Sequence, residues 1–167
     1  FAVACNGKTA KLSFEVNGGT PIAEETINKE ESFTLPTPTR GAEYSFEGWY
    51  LNADFSGSAV TQVTLTEDTV VYAKWEQLYA VNLNVDGGSL STDKVYLKKG
   101  ANVYDALKDL KPTKSGYEFG AWFNGSKELA KNLRMSETAL NLTAKYKAPC
   151  KVEVYLQNNT LDGYDKQ

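Results

Sequence analysis

Few residues in this chain have the types and spacing that chemistry demands. Trp49, Trp75 and Trp122 carry flat rings that could stack on a sugar, and Trp49 and Trp122 are each followed by a second ring, Tyr50 and Phe123. The competing reading puts at least two of the tryptophans into a core, because large aromatics dominate small cores. By strand alternation Trp75 shares the apolar face of Val71 and Ala73, whereas Trp49 alternates with Tyr44 and Phe46 and falls on the other face. Trp49, Tyr50, Trp122 and Phe123 are therefore the candidate partner-contacting residues, with Trp49 and Trp122 as the exposed pair. Asn52-Ala53-Asp54-Phe55-Ser56-Gly57 has the front half of a calcium loop, but Val63 stands where the bidentate Glu belongs, so a polar turn is expected. Glu24-Glu25 and Glu30-Glu31 pair carboxylates as a glycosidase does. Nothing beside them would raise one pKa, and a solvated surface is expected. The chain has no histidine, which removes the commonest general base and metal ligand and excludes the usual serine triad. Its two cysteines, Cys5 and Cys150, are too few for a structural zinc site. No catalytic, cofactor-binding or metal-binding residue is expected.

The elements that must carry these residues are legible as a duplication. Leu12–Ile27 aligns with Val81–Leu97: each alternates apolar and polar residues and then reaches Asn17-Gly18-Gly19 or Asp86-Gly87-Gly88. YSFEGWY (Tyr44–Tyr50) aligns with YEFGAWF (Tyr117–Phe123), and the strand ending Ala73-Lys74-Trp75 aligns with that ending Ala144-Lys145-Tyr146. Three landmarks in one order at a spacing of roughly 70 residues mark a tandem repeat. Each unit reads strand, Gly-Gly turn with positive φ, strand, short helix, aromatic strand, long loop, strand. The second strands are expected around Ile22–Ile27 and Lys94–Leu97. Ala101–Leu110 has helical spacing, while Glu31–Pro38, with two prolines, is expected to hold only a turn of helix. A small sheet with one helix across a face is the simplest cover for the apolar side. Glu76–Ala80 and Lys147–Cys150 are the junctions, the first so short that the units are expected end to end with limited freedom. Val152, Val154 and Leu156 alternate again, as in the first strand of a third, cut-off module. Net charge is −3, no basic patch suggests nucleic acid, and no apolar run approaches the length of a membrane span.

The Gly-Gly turn, F-x-G-W-Y and V-x-Y-A-K-W patterns, at Asn17–Gly19, Phe46–Tyr50 and Asp68–Trp75, resemble the Listeria–Bacteroides repeat, the B-repeat type found in internalin B. Copy two matches at Asp86–Gly88, Phe119–Phe123 and Ala139–Tyr146, departing with Ala121 for Gly and Tyr146 for the last Trp. The resemblance implies an α+β, β-rich chain of two β-grasp-like modules (ββαββ) at 11–76 and 77–147. Residues 1–10 lead in, 148–167 start a truncated third module, and Val152–Tyr164 within it looks like the opening of a mucin-binding-like unit. It also implies a non-enzymatic spacer or adhesion stalk, secreted or at a bacterial cell surface. Its partners would be a surface protein or glycan and neighbouring domains of a longer chain. Phe1–Ala4 resembles the end of a bacterial lipoprotein signal, which would make Cys5 a lipid attachment site, although Ala2 stands where Leu is usual; the alternative is a free cysteine. A Cys5–Cys150 disulfide would have to bridge opposite ends of two modules and is not expected. Asn124-Gly125-Ser126, Asn141-Leu142-Thr143 and Asn158-Asn159-Thr160 are glycosylation triplets only in a eukaryotic secreted protein.

Overall fold

In the computed structural model the described residues are 7–149 and the strand segments Tyr155–Gln157 and Tyr164–Lys166. The chain is strand-rich. By compactness the described residues form two units, one from 7–81 with 96–101 and 134–139, the other from 82–95, 102–133 and 140–149.

In the first unit, β1 (Thr9–Glu15) pairs antiparallel with β2 (Glu25–Asn28). Between them Asn17 and Gly18 take φ of 47° and 86°, and the Gly19 amide donates to the Val16 carbonyl at 2.9 Å. This is the tight turn that the Asn-Gly pair requires. β3 (Ser32–Thr34) follows, then the aromatic strand β4 (Tyr44–Tyr50), β5 (Gln62–Thr64) and β6 (Thr69–Asn84). β6 runs parallel to β1 and antiparallel to β4. The expected helical turn in Glu31–Pro38 is corrected: Ser32–Thr34 is strand and pairs with β5, Phe33 opposite Val63. A Ser-Phe-Thr triplet favours a pleated surface, and Pro36 and Pro38 lack the N–H groups that a helix would use. The junction Glu76–Ala80 is also strand, lying inside β6. Ala10, Leu12, Ile27, Leu35, Trp49, Val63, Leu65, Val71 and Ala73 form the core, with Phe14, Phe46 and Trp75 packed against it.

The second copy carries β7 (Lys94–Lys98), α1 (Val103–Leu107), β8 (Glu118–Asn124), β9 (Lys127–Glu128) and β10 (Leu140–Lys147). α1 is only five residues long. Asn102 caps it, its side chain accepting from the Asp105 amide, and Val103 and Leu107 bury its inner face. Leu83, Trp122, Leu129, Leu142 and Ala144 are buried as well. The Asp86-Gly87 pair repeats the first turn, at φ of 47° and 79°, with the Gly88 amide bonded to the Val85 carbonyl. Beyond residue 149, β11 (Tyr155–Gln157) pairs antiparallel with β12 (Tyr164–Lys166). Cys5 and Cys150 lie outside the described residues.

Candidate functional site

The aromatic strand is where a binding platform was expected, and its register decides the matter. Phe46 stands opposite Trp75, then Gly48 opposite Lys74 and Trp49 opposite Ala73, so Glu47 is an extra residue. This β-bulge breaks the period of two. Phe46 and Trp49, three residues apart, therefore share one face, the face of Ala73 and Trp75. Copy two makes the same insertion: Phe119 opposite Tyr146, Ala121 opposite Lys145 and Trp122 opposite Ala144, with Gly120 extra. The expected exposed pair is thereby corrected, for Trp49 is 2% and Trp122 4% exposed. Trp49 meets Phe14 and Phe46 edge-on at 5.4 and 5.7 Å, and Trp122 meets Phe119 at 5.6 Å. Each indole also satisfies a carbonyl, Trp49 donating to Pro36 O at 2.7 Å and Trp122 to Leu110 O at 3.1 Å. Tyr50 and Phe123, the other two candidates, are half-buried. Tyr50 packs edge-on against Phe55 at 5.7 Å, with the Lys74 ammonium 5.2 Å from its ring.

A second constellation recurs around each Gly-Gly turn. The last ring of the copy donates to the carbonyl that opens the turn: Trp75 Nε1 to Val16 O at 2.9 Å, Tyr146 OH to Val85 O at 2.7 Å. A cation then closes over the turn. Arg40 Nη1 donates to Asn17 O at 3.0 Å, with its guanidinium 3.5 Å from the Tyr44 ring centre and 5.8 Å from Trp75. Lys114 Nζ donates to Asp86 O at 2.7 Å, lying 5.5 Å from Tyr117 and 4.9 Å from Tyr146. Cation–π attraction and a charge-assisted hydrogen bond thus hold the same turn in both copies. Sequence reasoning missed this latch. Its signal was present as Pro38-Thr39-Arg40 and Pro112-Thr113-Lys114, a basic residue closing the same Pro-Thr pair shortly before the aromatic strand.

The latch has a pH signature. Burial first, and the Asp86 carboxylate second, raise the Tyr146 phenol above its ordinary value of 10.0. Folding favours the protonated phenol. Its contribution is therefore complete below the unfolded value and is lost as pH climbs through the folded one. Tyrosinate absorbance should show one tyrosine titrating late, and that step should vanish in Tyr146→Phe. An unchanged titration curve in the variant would contradict the assignment.

The remaining candidates resolve as surface. Asn52–Gly57 is a turn closed on itself: the Phe55 amide donates to Asn52 O, the Asn52 side chain to Ser56 O and the Ser56 amide to Asp54 Oδ1. Ser56 holds the Asp54 carboxyl below the usual range. Among the described residues no group of three His, Cys, Asp or Glu could hold a metal ion. Glu24 pairs with Lys11 at 2.9 Å; that hydrogen bond first, and Ser13 second, lower its pKa, the opposite of what a general acid needs. Copy two has a cleft of about 260 Å³ beside its helix. Leu107, Trp122 and Leu129 supply apolar lining, with Lys108, Lys111 and Glu128 also at its walls. The Lys108 and Lys111 ammonium groups have no hydrogen bond or ion pair among the described residues.

The sequence is similar to that of known proteins. The model of the Listeria-Bacteroides repeat domain matches residues 11–74 and 79–145. A protein of Evansella cellulosilytica named "Putative membrane protein" is 33% identical over 119 residues, covering 67% of this chain and 17% of that protein. Internalin H of Listeria monocytogenes is 30% identical over 117 residues, covering 66% of this chain and 19% of its own length. The chain spans less than a fifth of the length of these curated relatives. With both family matches covering the Gly-Gly turn and the bulged aromatic strand of each copy, the chain belongs to the Listeria–Bacteroides repeat family.

Proposed function

We propose that the chain is a non-enzymatic pair of β-grasp-like modules, 11–76 and 77–147, with residues 148–167 opening a third. In this reading they act as a spacer or adhesion stalk at a bacterial surface, with Cys5 either a lipid attachment site or a free cysteine. One observation carries the proposal: all three tryptophan N–H groups are spent on carbonyls of the chain itself, at Pro36, Val16 and Leu110. Trp49 and Trp122, at 2% and 4% exposure, are spent on building the modules and offer no open face for stacking. The names of the relatives, a membrane protein and an internalin, agree with a surface setting. The test displays the chain between a bacterial surface anchor and a terminal epitope tag. Antibody access to the tag should rise with each added repeat pair and be indifferent to Tyr50→Ala and Phe123→Ala. Access independent of repeat number would overturn the spacer reading.

The cleft in copy two favours a second reading, capture of an acidic peptide segment that places one apolar side chain against Leu107 and Leu129. Its two unpaired lysines supply charge complementarity. Binding of a fluorescent peptide with alternating Glu and Leu, weakened by salt and lost in Lys108→Glu with Lys111→Glu, would support it; no binding would remove it.

A further inference from the structure

We infer that copy one is a force-bearing module, its β1–β6 ladder loaded in shear when the chain is pulled along its length. This rests on the spacer reading for its purpose, though not for its mechanics. β1 and β6 are parallel neighbours, with Leu12 opposite Thr69, Ser13 opposite Val70, Phe14 opposite Val71 and Glu15 opposite Tyr72. The polypeptide enters the module at the N-terminal end of β1 and leaves along β6. Tension on these two segments therefore drags the strands past one another along their common axis. Interstrand hydrogen bonds lie across that axis, so they must strain together and cannot open in turn.

Side chains tie both ends of this interface. At the upstream end the Lys11 amide donates to Asp68 Oδ1 at 2.9 Å. At the downstream end Asn17 Nδ2 donates to Ala73 O at 2.8 Å and Trp75 Nε1 to Val16 O at 2.9 Å. β6 is gripped on its other edge by β4, from Tyr44 opposite Gln77 to Tyr50 opposite Tyr72. Phe14 against Trp49 at 5.4 Å and Phe46 against Trp75 at 5.3 Å interlock the three strands beneath the ladder. The β1–β2 pair has the opposite geometry. Thr9 and Asn28 face each other at the open end of an antiparallel pair, so tension between them peels one bond at a time.

Single-molecule pulling on the full chain, with Cys5→Ser and Cys150→Ser so that only the handle cysteines react, separates the two geometries. Handles at the exposed positions Lys8→Cys and Gln77→Cys load the β1–β6 ladder in shear; handles at Lys8→Cys and Asn28→Cys peel β2 from β1. The first event in the shear arm should need roughly twofold more force or greater, since the paired residues share the load. Asn17→Asp, the residue type that copy two carries at Asp86, removes the Nδ2 donor and should lower the shear force while leaving the peeling force unchanged. Equal forces in the two arms would overturn the clamp and leave the tag-accessibility result standing. Failure of tag accessibility would remove the spacer role and leave the force difference.

Discussion

Trp49→Ala is expected to destabilise copy one by about 3–5 kcal/mol. The indole is fully buried and meets Phe14 and Phe46 edge-on, so truncation leaves a void bordered by two rings that have lost their partner. It also removes the donor to the Pro36 carbonyl. A domain of this size is stable by only about 5–15 kcal/mol, so the loss is a large fraction of the total. Trp49→Phe separates the two causes: most ring contact stays, the carbonyl loses its donor, and the expected loss falls to about 1–3 kcal/mol. Urea denaturation followed by circular dichroism measures both. Trp122→Ala should do the same to copy two, where the indole meets Phe119 and the Leu110 carbonyl. A midpoint unchanged in Trp49→Ala would mean that the ring is not part of the core, and the exposed platform would return.

That prediction reverses the face assigned by alternation, and the reversal shows what a sequence can transmit. Leu12 and Ala10 in β1, and Val71 and Ala73 in β6, are buried at every second position, as a half-buried strand requires. The Asn-Gly and Asp-Gly turns were equally legible, because their positive φ angles narrow the choice of residues. The bulge was not. It inserts one residue into a ladder and turns over everything beyond it, and its only trace is Gly48, whose φ is +133°. Even that trace fails in copy two, where Ala121 fills the position without a positive φ. The strand Ser32–Thr34 was hidden for another reason: its partner, Gln62–Thr64, lies thirty residues away, and local spacing carries no record of pairing at that distance. The latch cations were visible only as a repeated triplet. A basic residue near a turn reads as solvated until the ring beneath it is placed.

Gly19→Ala is expected to cost about 1–3 kcal/mol through overpacking. No unusual backbone angle is involved; what forbids a side chain is the neighbour. A Cβ on Gly19 would meet Trp75 Cζ2 at 2.8 Å, Thr39 O at 3.1 Å and Val16 O at 3.2 Å. The second glycine of the turn and the last ring of the copy are thus one device, since the ring can reach the Val16 carbonyl only across a bare backbone. Copy two repeats the arrangement with a smaller ring: a Cβ on Gly88 would collide with the Tyr146 hydroxyl and meet Thr113 O at 2.7 Å. Gly88→Ala should therefore cost at least as much as Gly19→Ala, because a backbone carbonyl has less freedom to yield than a ring edge. A double-mutant cycle decides whether ring and glycine are coupled. Trp75→Phe removes the atom that Cβ would strike, so Gly19→Ala should cost less in that background, with a coupling energy of about 0.5–3 kcal/mol measured by urea denaturation. Strict additivity would show that the glycine serves the turn alone, and the ring would then be an independent guest of the Val16 carbonyl.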